Sequence, residues 1–268
     1  MVHSILDQTR KPDLFLLNIP AVFSRTGETY RVPKYIRKSL TVNPIDTDYG
    51  PATKIAPTVA YLKNSGGGVS EMYHPDHTRI IYLDDDISYP PRMIETYERM
   101  IAENDHNVWT ATGFDFVNLE LNGKRGYKDS ATIAEGYGSV CVKLNTFGAD
   151  FMDYITQYTA IDNQICRLSD DIILSNYYHK QQVGIFIMNL PGYLSIHDMW
   201  NENKILDYGN ETDALHMGAG GTSDNNVDRY KRVITALNKK KERYFKLSFI
   251  TTTKDKNTGI DVNTLVWR

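Results

Sequence analysis

The sequence predicts an α/β protein with a mostly parallel central sheet flanked by helices. Short apolar runs bounded by Gly, Pro or acidic residues recur along it, among them "LFLLNIP" (14–20), "IIYL" (80–83) and "VGIFIMNL" (183–190). Segments with apolar residues at helical spacing stand between several of these runs, and strands alternating with helices read as parallel crossover units. With 268 residues, 41% of them hydrophobic, the chain is long enough for a single such domain with a substantial core.

The elements follow in order. Val2, Ile5 and Leu6 have helical spacing, and "LFLLNIP" is a buried strand ended by Pro20. Residues 21–50 are polar and irregular, with a second short strand at "SLTVN" (39–43). "YGPATKIAPTVAYLKN" (49–64) reads as a helix entered through Pro51, with Pro57 limiting its regularity. "SGGG" (65–68) is a loop that lacks the Lys-Ser/Thr ending of a phosphate cradle. Ile80 to Leu83 forms a central strand, and Pro91 opens a helix to about Glu103. "VWTATGFDF" (108–116), "GYGSVCVKL" (136–144) and "VGIFIMNL" are further strands. "SDDIILSNYYHKQ" (169–181) is a helix with Ser169 placed as its N-cap. "NNVDRYKRVITALNKKK" (225–241) is the last helix, with Val227, Tyr230, Val233, Ile234 and Leu237 on one face.

Composition excludes several classes of function. A net charge of -3 without a basic stripe argues against a nucleic-acid partner. Cys141 and Cys166 have neither zinc-ligand nor disulfide-framework spacing, which fits a reducing compartment. The sequence has no membrane-length apolar run and no signal-peptide pattern at its start, so a cytoplasmic location is expected. "YHPDH" (73–77) is a poor zinc pair, because Pro75 forbids a regular helix through its histidines. The basic "NKKKER" (238–243) suits a helix C-terminus and leaves peripheral membrane contact open.

The acidic stretches carry the chemistry. Asp84, Asp85 and Asp86 leave the end of an apolar strand, where α/β sheets bind ligands. Such close charges raise one another's pKa unless a cation or strong donors compensate, and oxygen-only ligation suits Mg²⁺ or Mn²⁺. A water-facing turn cap is the plainer reading. Asp170 and Asp171 occupy the first turn of a helix, where the macrodipole favours them, and a carboxylate held there is equally suited to act as a general base.

"DDD" after an apolar strand resembles the DxD motif of GT-A nucleotide-sugar glycosyltransferases. "SDD" resembles the acidic motif that carries their catalytic base. "SILDQTRKPDLFLLNIP", "DYGPATKIAPT" and "EGYGSVCVKLNTF" resemble glycosyltransferase sequences of bacteria and large DNA viruses, in the same order from about Ser4 to Leu237. The resemblance implies a GT-A-like domain over 1–268, with a nucleotide-binding part to about residue 90, an acceptor part over 91–245 and a C-terminal extension over 246–268. It implies Asp84 on the nucleotide side, Asp85 beside it, and Asp86 on Mn²⁺ or Mg²⁺ with Asp84. Asp171 would be the base of an inverting transfer, with Asp170 as second choice. His216 in "DALHMGAGGTSDNN" would be a late metal ligand, with His197 as its rival. Lys54 would reach the base or diphosphate of a nucleotide-sugar donor, UDP by preference, and Gly136 and Gly138 would let the backbone approach a sugar. The acceptor would be a glycan or another hydroxyl compound. The first strand of such a domain is missing from the pattern. Two other functions remain open: a nucleotidyltransferase, and a catalytically inactive domain that binds nucleotide or sugar.

Overall fold

The computed structural model describes residues 1–24, 27–64, 72–124, 129–160, 163, 165–188, 226–254 and 261–267. Along the chain run α1 (Val2–Leu6), β1 (Leu16–Pro20), α2 (Lys34–Ser39), β2 (Thr41–Ile45), a 3-10 turn (Gly50–Lys54), α3 (Ala56–Asn64), β3 (Arg79–Tyr82) and α4 (Met93–Glu103). Six short strands follow: β4 (Val108–Thr110), β5 (Gly113–Val117), β6 (Glu120–Lys124), β7 (Ser130–Ala131), β8 (Ile133–Ala134) and β9 (Val140–Lys143). The chain continues through α5 (Phe151–Thr159), α6 (Asp170–Lys180), β10 (Ile185–Ile187), α7 (Asn226–Lys240), β11 (Ser248–Lys254) and β12 (Asp261–Trp267).

The expectation of a mostly parallel sheet is overturned. The central sheet has the order β3-β9-β4-β10-β7, and within it only β4 and β10 are parallel. A second sheet, β12-β11-β5-β6 with β8 also on β5, is antiparallel apart from one parallel pairing of Ser248 with Val117. Only the two-stranded β1–β2 sheet is wholly parallel. The cause lies between residues 111 and 139. A parallel neighbour needs a long crossover, usually a helix, and this stretch holds short strands and turns instead. The chain therefore re-enters the sheet as β9, antiparallel between β3 and β4. "VWTATGFDF" divides into β4 and β5 on different sheets, and "GYGSVCVKL" opens with a 3-10 turn (Gly136–Gly138) before β9.

The central sheet is buried on both faces. Ile80, Tyr82, Val108, Val140 and Val142 join one hydrophobic cluster with α3, α5, α6 and α7. Their neighbours Trp109 and Cys141 belong to a second cluster with Ile5 of α1 and Ile94, Tyr97 and Met100 of α4, against which Ile81 and Leu83 also pack. The period-2 alternation of a strand thus feeds two layers at once. Burial on both sides makes "IIYL" continuously apolar, whichever way its neighbours run.

Candidate functional site

Two acidic stretches that lie 86 residues apart meet around one lysine. The 3-10 turn that carries Lys54 is fixed from both ends. Asp48 accepts hydrogen bonds from the Gly50 amide (2.7 Å) and from the Ser24 amide (2.9 Å) and hydroxyl (2.6 Å), and it lies 3.5 Å from buried Arg167. At the other end, Asn18 of β1 donates to the Thr53 carbonyl (3.1 Å) and the Thr58 hydroxyl (2.9 Å). Lys54 Nζ is thereby held 2.5 Å from Asp84 Oδ1 and 3.1 Å from Asp170 Oδ2. Burial alone would lower the lysine pKa, but Asp170, Asp84 and Asp171 together hold it well above the ordinary value, so Lys54 is a permanent cation.

Asp171 stands beside this pair. Its Oδ1 accepts a hydrogen bond from the Gly136 amide at 2.8 Å, and its Oδ2 lies 3.4 Å from the Tyr230 hydroxyl. Burial raises its pKa well above the usual carboxylate range and adjacent Asp170 raises it further, against the opposing pull of Lys54 and the Gly136 amide. At Gly136 a Cβ would come within 2.8 Å of Lys54 Nζ and 3.2 Å of Asp171 Oδ1, so a side chain there would displace the ends of both. Gly138 is different. A Cβ on this buried glycine would meet Thr112 Oγ1 at 2.5 Å, so close packing against Thr112 favours glycine there. Ser169 occupies the N-cap position of α6 but makes no side-chain cap hydrogen bond, which departs from the capping expected of it.

The site opens on a cavity of about 1660 Å³, whose lining includes Lys54, Asp84, Asp85, Asp86, Asp170 and Asp171. Asp84 is partly buried, while Asp85 and Asp86 are exposed at the rim. Sequence reasoning missed three contributors. The buried Tyr89 hydroxyl accepts from the Asp84 amide (2.9 Å) and lies within donating reach of the Asp84 (3.2 Å) and Tyr137 (3.1 Å) carbonyls, joining the acidic turn to the glycine turn. Arg229 and Tyr230, at the start of α7, also line the cavity. The helical spacing puts Tyr230 on the core face of its helix, and its ring does stack on Phe114 while its hydroxyl reaches Asp171. His216, His197 and the glycine-rich 218–221 lie outside the described residues.

Comparisons with protein-family models and with curated proteins give no match for this chain. No helix among the described residues is long and apolar enough to cross a membrane. Nor do three His, Cys, Asp or Glu side chains converge there as a preformed metal cluster. The donors of the acidic turn are all carboxylate oxygens, a chemistry that fits a hard divalent cation, and Asp85 and Asp86 are exposed to solvent.

Proposed function

We infer that this site transfers a glycosyl group from a nucleoside diphosphate sugar, UDP-linked by preference, to a hydroxyl acceptor. The observation that supports it is the Lys54 ammonium set between Asp84 and Asp170, with Asp171 alongside, at the wall of a cavity large enough for two ligands. Fixed cationic charge beside solvent-exposed carboxylates that suit a divalent cation matches the charge of a diphosphate leaving group. Asp84 and Asp86 would hold Mn²⁺ or Mg²⁺, which supplies Lewis-acid neutralisation of the departing nucleotide. Lys54 orients Asp84 and adds a second positive charge. Asp171, with its raised pKa, takes the proton of the attacking hydroxyl, while the Gly136 amide and the Tyr230 hydroxyl fix its carboxylate. Attack from the face opposite the diphosphate inverts the anomeric centre.

The test is transfer and donor hydrolysis with a panel of nucleotide sugars. Asp171→Asn is expected to bind nucleoside diphosphate normally and to lose about 10² to 10⁴ in rate. Consumption of a nucleoside triphosphate with a sugar phosphate would instead establish a nucleotidyltransferase. Tight binding without any turnover in the native chain would establish an inactive binding domain.

A further inference from the structure

Behind the site, three segments that are distant in the chain meet on one buried guanidinium. The Arg167 side chain is 5% exposed and does not line the cavity. It donates to the Thr159 carbonyl at the end of α5, to the Ser24 hydroxyl (2.6 Å) after β1, and to the Asp48 carbonyl (2.8 Å) ahead of the Lys54 turn. The start of that turn lies against the same residue. A Cβ on Gly50 would come within 3.0 Å of the Arg167 carbonyl oxygen and 3.3 Å of its Cγ, and Gly50 adopts the left-handed region at φ 62°. The turn is braced within by the Tyr49 amide on the Thr53 hydroxyl (3.0 Å) and by the Ile55 amide on the Ala52 carbonyl (3.1 Å). Just beyond Arg167 stands Asp170, which meets Lys54 at the far end of the turn. The turn and the entry to α6 are thus joined twice, by Arg167 on Asp48 and by Lys54 on Asp170, and the two contacts close a ring.

We propose that Arg167 is a positioning residue of this site: through Asp48 and the turn it sets the place of the Lys54 ammonium between Asp84 and Asp170. A guanidinium presents its N–H donors as a rigid planar fork, so it can serve several segments at once and fix their spacing. A lysine in its place carries a compact ammonium on a flexible stem and cannot span them. Without the fork, the buried Asp48 carboxylate keeps its bonds from Gly50 and Ser24 but loses its counter-charge, and the start of the turn is free to shift. Because the turn is braced, the shift reaches Lys54, whose ammonium stands 2.5 Å from Asp84 Oδ1. This placement of Lys54 is independent of any activity, and only its consequence for transfer rests on the function proposed above.

The experiment is competitive amine labelling of the folded full chain with a limiting acylating reagent, read lysine by lysine by mass spectrometry. Lys143 is the internal control: it too is buried and ion-paired, 2.5 Å from Asp105, but it stands on β9. Arg167→Lys, which keeps the charge, is expected to raise Lys54 labelling about tenfold or more and Lys143 labelling less than about twofold, as a local opening would. Asp48→Asn should expose Lys54 likewise, and the double variant should add little to either single one, since both act by one route. Unchanged labelling of Lys54 in Arg167→Lys would overturn the proposal. Equal rises at Lys54 and Lys143 would make Arg167 a general support of the fold and overturn it too, as would full additivity in the double variant. Labelling needs no turnover, so a native chain without transfer would refute the proposed function while Lys54 decides this inference separately.

Discussion

Asp171 is where local charge decides chemistry. Its native pKa is raised, chiefly by burial, so between the ordinary value of 3.8 and that raised value the folded chain binds more protons than the unfolded one. Two outcomes with pH follow. Stability from this group declines as pH rises through that window, whereas transfer, which needs the ionised base, rises across it. Urea unfolding and rate profiles should both show this dependence in the native chain, and Asp171→Asn should flatten both. Gly136 offers a second test at this scale. Gly136→Ala pushes a methyl against Lys54 and Asp171, and a displacement of about 1 Å can cost about a hundredfold in rate. Steady-state kinetics should show that loss, while thermal melting changes little. The sequence marked Asp84, Asp170 and Asp171 by their acidic turns and Gly136 by its glycine pair, whereas Lys54 entered only through the resemblance. It could not say that Lys54 would sit between the two acidic stretches, since that depends on a contact across 116 residues.

Elements orient these side chains through hydrogen bonds that no short-range pattern reveals. Tyr89 is the clearest case. Read along the chain, it is one tyrosine among 18, beside a double proline. In the fold its buried hydroxyl serves the Asp84 amide and joins that turn to Tyr137. Tyr89→Phe leaves the Asp84 amide without this partner, and chemical denaturation should register a loss of about 1–3 kcal/mol. Nucleotide affinity should fall with it, because the acidic turn loses its tether. Most of the expected helices and strands were legible from periodicity and from Pro and Gly punctuation. Strand direction was not. A run buried on both faces looks the same whether its neighbour is parallel or antiparallel, and the six short strands over 108–143 carry too few residues for a clear period. Helix α5 and the β11–β12 hairpin also escaped the sequence reading.

At the scale of the whole molecule, a mixed sheet between two hydrophobic clusters brings the end of β3, the start of α6 and the start of α7 to one cavity. Helices α3, α5, α6 and α7 pack on one face of the sheet, and α1 with α4 packs on the other in the cluster that includes Ile87 and Tyr89, just after the acidic turn. This arrangement makes a single site of the two acidic stretches, and the proposed function depends on that union. The most direct test is calorimetric titration of nucleoside diphosphate with and without Mn²⁺, in the native chain, in Asp86→Ala and in Lys54→Met. Binding is expected to strengthen with Mn²⁺, to lose that dependence in Asp86→Ala and to weaken in Lys54→Met. Absence of binding, or binding unchanged by both substitutions, would contradict it.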